Sequence, residues 1–129
     1  MLRQSGLGLL VLGLVALGAC SGGQGTASKP AAAASAQSVT VKGTDQMRFE
    51  PSTITIRANA PVNLTVDDSG TVLEHDFTID NVGGQKVSVK AQPNGKATGQ
   101  FTPTAGTYQF YCAEPGHREA GMVGTLTVT

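Results

Sequence analysis

The 129-residue sequence has no tryptophan, only two cysteines and two histidines, and few charges. Charged residues make up 14% of it and the formal net charge is zero, so it offers neither a basic field to hold nucleic acid nor an acidic tail. Helical stripes are missing as well: no segment repeats its apolar residues at i, i+3, i+4 and i+7. The abundant residues point the other way. Seventeen glycines, set among many valines, threonines and isoleucines, favour β-strands joined by tight turns. The length suggests one domain with an appendage.

The N-terminal apolar run, Leu7 to Ala19, is too short to cross a bilayer as a helix, which takes about 18 residues or more. It follows a cationic start at Arg3 and ends in small residues, the pattern of a secretory signal. Its last four residues, Leu17-Gly18-Ala19-Cys20, resemble the bacterial lipobox, in which cleavage precedes the cysteine and the thiol becomes lipidated. A plain signal peptide that happens to end beside a cysteine is the alternative. The resemblance implies a signal peptide over residues 1–19 and a lipid anchor on Cys20. It also implies an extracytoplasmic location on a bacterial membrane, facing the periplasm or the cell surface. Residues 20–37 carry one charge, Lys29, and no large apolar side chain. They have nothing to bury and read as a tether, with a reach of roughly 20–25 Å as a flexible coil.

Residues 38–129 read as the folded domain. Apolar and polar residues alternate in "STITIRA", "PVNLTVD", "HDFTID", "KVSV", "TYQFYC" and "TLTVT", and Val39 and Val41 open a further strand. The strings "DDSG", "NVGG", "QPNG" and "PTAG" separate these runs with turn residues. Seven or so short strands in about 90 residues suggest an all-β, two-sheet antiparallel sandwich in which each strand turns one face to the core. Tyr108 fits a tyrosine corner, bonding back to nearby backbone.

If Cys20 carries lipid, Cys112 has no disulfide partner within the chain, and an unpaired thiol in an exported protein calls for a reason. A buried packing cysteine is one reason; a metal is the other. Cys112, His117 and Met122 follow one another at equal steps of five residues. Thiolate and thioether favour copper(I), and imidazole suits copper in both oxidation states. An extended step of five residues covers up to about 17 Å, so three ligands on one loop require two reversals. Pro115-Gly116 supplies the first and Gly121 eases the second. The remaining histidine, His75, stands at the start of a strand. Two histidines, one thiolate and a weaker methionine form the trigonal arrangement of electron-transfer copper, and they use every histidine in the chain.

The segment "YCAEPGHREAGMVGTLTVT" resembles the ligand loop of the small blue copper proteins, the cupredoxins. It is similar to the azurin and plastocyanin pattern, and its Cys-x4-His-x4-Met spacing most resembles that of the auracyanins. "RFEPSTITIRANAPVNLTV" is similar to the family's second and third strands, and "EHDFTI" to the segment of its first copper histidine. The resemblance implies a Greek-key sandwich of seven to eight strands with one type 1 copper ion near one end. It carries the ligands onto His75, Cys112, His117 and Met122, and implies one-electron transfer through the outer edge of His117. Redox proteins would be the partners, meeting a monomer by transient contact. In two positions the sequence departs from the azurin and plastocyanin pattern. Asp76 stands where asparagine follows the first histidine, and Ala113 where serine or threonine follows the cysteine. An ionised Asp76 can accept a backbone N–H but cannot donate one. Met47 is read as packing, and Glu74, Glu114, Arg118 and Glu119 as a solvated rim.

Other readings compete. A copper lipoprotein for storage or delivery would use the same ligands. A metal-free sandwich for adhesion would tolerate loss of Cys112. A thiol enzyme with His117 as base lacks any visible oxyanion site, and no histidines remain for a second copper cluster. The sequence therefore reads as a non-enzyme, with no small-molecule substrate and no nucleic-acid partner.

Overall fold

A computed structural model describes residues 34–129. The signal peptide of residues 1–19, the lipidation site Cys20 and most of the tether lie outside the described residues. Nine strands follow one another: β1 (Gln37–Thr44), β2 (Arg48–Glu50), β3 (Thr53–Ile56), β4 (Val62–Asp67), β5 (His75–Val82), β6 (Gln85–Ala91), β7 (Lys96–Phe101), β8 (Gly106–Tyr111) and β9 (Val123–Val128). One sheet has the order β2-β1-β4-β7 and the other β3-β9-β8-β5-β6.

The all-β sandwich expected from the alternation is present, with two refinements. Among the described residues there are nine strands rather than seven or eight: Lys96–Phe101 forms β7, which the alternation did not mark, and "RFEPSTITI" splits at Pro51-Ser52 into β2 and β3, which join different sheets. The sheets are also mixed rather than purely antiparallel: β1 pairs β4 in parallel, and β3 pairs β9 in parallel. Period-2 alternation reports which face of a strand is buried, but carries nothing about the direction of its neighbour.

The core forms between the sheets. Val62, Leu64 and Val66 of β4, Ile54 and Ile56 of β3, and Leu126 and Val128 of β9 are all buried, with polar neighbours turned outward. Three aromatic rings fill the centre. Phe77 stacks on Phe110 at 4.5 Å between centroids, and Phe49 lies 5.2 Å from Phe110. Aromatic pairs of this kind add about 0.5–1.5 kcal/mol beyond the area they bury. Tyr108 forms the expected corner, its hydroxyl donating to the Thr104 carbonyl at 3.0 Å. Met47 sits in the β1–β2 turn and packs against the core, as its reading from the sequence requires.

Strand β5 breaks the alternation. His75 through Ile79 are buried without interruption. Phe77 and Ile79 face the core, while Asp76 and Thr78 occupy the opposite face and are still shielded from water. The loop that follows β8 reaches this face at Asp76, whose Oδ1 accepts the Ala113 N–H, while Thr78 bonds Ser88 of β6.

Candidate metal centre

That loop runs from Cys112, directly after β8, to Met122, directly before β9. Gly116 and Gly121 take φ values of 82° and 97°, where a side chain would be strained. They provide the two reversals. The intervening backbone bonds to itself, from Ala120 N–H to Gly116 carbonyl and from Gly121 N–H to Arg118 carbonyl, each at 3.0 Å. Two further bonds close the ends: Met122 N–H to His117 carbonyl at 2.9 Å and Cys112 N–H to Met122 carbonyl at 3.1 Å. The three side chains singled out by spacing are thereby fixed to one compact turn.

His75 enters from the first residue of β5. Its Nδ1 lies 3.3 Å from Nδ1 of His117, and Cys112 Sγ lies 3.4 Å from the same His117 nitrogen. One ligand atom from each of the three falls within 4.8 Å of the others. His75 and Cys112 are fully buried and His117 is half-buried. Met122 is fully buried at the end of the loop. The structure thus joins His75, forty-two residues distant from His117, to Cys112 and His117 of the loop.

The chemistry of the set follows from its surroundings. Burial, with the neighbouring His117 ring, pushes the His75 pKa below its ordinary value. Its imidazole is therefore neutral, with a lone pair free to bind. Burial pushes the Cys112 thiol up, so without a metal the sulfur keeps its proton. A cation supplies the missing charge compensation and converts thiol to thiolate. Two imidazoles and one thiolate converging from a dry pocket fit a single copper ion.

The two departures at Asp76 and Ala113 prove compatible with this set. Asp76 Oδ1 accepts the Ala113 N–H at 2.8 Å, so a carboxylate ties β5 to the loop through backbone. Its own N–H donates to Cys112 Sγ at 3.4 Å. Thr78, on the same shielded face, donates its hydroxyl to Asp76 Oδ1 at 3.0 Å. Ala113 contributes only its amide.

The rim differs in part from the expectation of solvated charges. Lys90 of β6 bridges Glu114 at 2.6 Å and Glu74 at 3.2 Å, and the Glu114 side chain is only 14% exposed. The pairing joins the segment before His75 to the segment after Cys112. Arg118 stacks 3.9 Å above the Tyr111 ring, whose hydroxyl donates to Asp80 at 2.7 Å. Glu119 stays exposed, as expected. Sequence reasoning missed Thr78, Lys90 and Asp68. Asp68 sits in the turn-like string "DDSG", yet it is fully buried and its Oδ2 accepts the His75 N–H at 2.9 Å.

The family model described as Cupredoxin-like domain matches residues 13–128. The chain belongs to the cupredoxin-like family. This cupredoxin is 40% identical over 128 residues to a plastocyanin of Prochlorothrix hollandica, covering 92% of this chain and 89% of that one. It is 36% identical over 120 residues to the copper-resistant cuproprotein CopI of Rubrivivax gelatinosus, covering 78% and 72% of the two chains. In fold, it matches auracyanin A, a "blue" copper protein of Chloroflexus aurantiacus, with a TM-score of 0.64 at 20% identity, covering 73% of this cupredoxin and 99% of that chain.

Proposed function

We propose that this cupredoxin is a one-electron carrier with a mononuclear type 1 copper site. His75, Cys112 and His117 would be the principal ligands and Met122 a weaker thioether donor. The convergence of two Nδ1 atoms and one sulfur carries the reading. When bound, copper supplies the one-electron Cu(II)/Cu(I) couple. The protein's own residues keep the site from rearranging as the charge changes. The Asp76 N–H holds the sulfur, and the Asp76 carboxylate holds the loop behind it. Met122 is pinned through both of its backbone groups. Half-buried His117, beside exposed Pro115 and Gly116, offers the edge through which an electron passes to a redox partner in a short-lived contact. The protein acts as a carrier and not as an enzyme.

The likeness to CopI favours a second reading, a lipoprotein that stores or delivers copper. One experiment separates the two. Cu(II) is added to the purified protein and the visible spectrum recorded; an intense thiolate-to-copper band, absent in Cys112→Ser, is expected. The blue protein is then reduced and reoxidised repeatedly beside a Cu(I) chelator. A carrier keeps its ion through the cycles, whereas transfer of the ion to the chelator on each reduction supports delivery. A colourless protein that retains no copper overturns both. The reading also places the protein outside the cytoplasm, held by lipid on Cys20. Incorporation of labelled fatty acid into the parent but not into Cys20→Ala is the expected result.

A further inference from the structure

The two ring nitrogens of His75 have unlike surroundings. Nδ1 faces His117. Nε2 is buried and has no hydrogen-bond partner among the described residues. Beside it stands a second orphan. Asp68 is fully buried, its Oδ2 takes the His75 backbone N–H, and its Oδ1 has no partner. Buried polar atoms are rarely left unpaired, and each such atom needs an explanation.

Asp68 Oδ1 and the Cδ2 edge of the His75 ring crowd the same point of β1. A Cβ on Gly43 would stand closer than 3.0 Å to Asp68 Oδ1 and to Cδ2 and Cγ of the His75 ring. Cδ2 is the ring carbon bonded to Nε2. Only a residue with no side chain lets the carboxylate and the imidazole approach from this side.

We propose that Asp68 is a positioning residue for the metal centre, its Oδ1 accepting a hydrogen bond from the Nε2–H of His75 when Nδ1 of that ring holds the ion. The inference rests on the copper reading of the site. A neutral imidazole that binds through Nδ1 carries its proton on Nε2 and is a donor there, and an ionised carboxylate is only an acceptor. The two unsatisfied atoms are chemical complements in a space that excludes water. The bond fixes the tautomer and the tilt of the ring. It also raises the basicity of Nδ1 and places negative charge behind the ligand, which favours Cu(II) over Cu(I). Asp68 would then brace one residue twice, at its backbone and at its ring. The Gly43 amide also lies near the carboxylate but does not complete a hydrogen bond to Oδ1.

The test uses the full chain, copper-loaded and reduced to the diamagnetic Cu(I) form, with ¹⁵N-labelled histidine. The expected spectrum of the parent shows a downfield Nε2–H signal from His75 that exchanges slowly with water. In Asp68→Asn, which keeps an oxygen for the His75 N–H and nearly the same volume, that proton should exchange at least about tenfold faster. The reduction potential should rise, and Cu(II) affinity should fall by about ten- to a hundredfold. An unchanged potential and exchange rate in Asp68→Asn overturns the role and leaves Asp68 as a cap on the loop. Should the variant not fold, the parent decides: a fast-exchanging or absent Nε2–H in a blue protein overturns this inference alone. A parent that never develops the thiolate-to-copper band overturns the copper reading and this inference together.

Discussion

Cys112 is a small apolar side chain until a cation arrives. Burial raises its pKa, so at pH 8 the metal-free protein holds a thiol. Binding Cu(II) must expel that proton, whereas His75, whose pKa is lowered, has none to give. Calorimetric titrations at pH 8 in buffers of different ionisation enthalpy should show close to one proton released per copper. Cys112→Ser should lose that release along with the colour. Asp76 can be separated into its two roles in the same way. Asp76→Asn keeps an acceptor for the Ala113 N–H but removes a charge near the ion, so the fold should hold and the potential should rise. Asp76→Ala removes the acceptor as well. It should cost about 1–3 kcal/mol in urea unfolding, because the part-buried Ala113 amide loses its acceptor and the buried Thr78 hydroxyl is left with Ser88 alone.

The loop from Cys112 to Met122 is an element in its own right, slung between β8 and β9 and tied to the start of β5 through Asp76. Lys90 fastens this arrangement from the side by pairing with Glu114 and Glu74. All three groups belong to different segments, and partly exposed ion pairs contribute little to global stability, about 0–1 kcal/mol. Lys90→Met should therefore barely move the unfolding midpoint. It should instead speed loop opening, read as faster copper loss to a competing chelator. Equal loss rates in parent and variant would show that the backbone bonds of the loop suffice alone. The elements differ in how far the sequence reveals them. Seven strands were legible because each turns one face to the core, whereas β2, three residues long, and β7, with one buried residue, show too little alternation; the loop residues were legible because they recur at one interval. His75 was identified by the chemistry of the donor set rather than by position. The parallel pairs β1–β4 and β3–β9, the double shielding of β5 and the role of Lys90 were not legible. Each depends on which distant segment lies alongside, and periodicity within one segment carries no such information. Asp68 was hidden for a related reason: its string reads as a solvated turn, and only the folded chain shows that the β1 backbone and the His75 ring close over it.

At the scale of the whole domain, neighbouring carboxyls set opposing pH limits. Asp67 accepts the Ser69 N–H at 2.9 Å and pairs with Lys96 at 2.9 Å. These contacts hold its carboxyl well below the usual carboxylate range. The folded state therefore releases that proton more readily than the unfolded chain. The stabilisation is present above the ordinary value of 3.8 and is lost as pH falls below it. Asp68 behaves in reverse. Burial raises its pKa from the ordinary 3.8 to about 6, so the folded state binds the proton more tightly across that window. Stability from this group falls as pH rises from about 4 to about 6. Urea unfolding of the metal-free protein, repeated across pH 2 to 8, should separate the two in single variants. Asp67→Asn should flatten the loss of stability below about pH 4 and, by removing a like charge beside Asp68, soften but not abolish the fall between about pH 4 and 6. Asp68→Asn should change only the slope between about pH 4 and 6, removing a component that destabilises the fold as pH rises. If Asp67→Asn abolished the fall between about pH 4 and 6 as completely as Asp68→Asn, the charge of Asp67 and not the burial of Asp68 would be its cause.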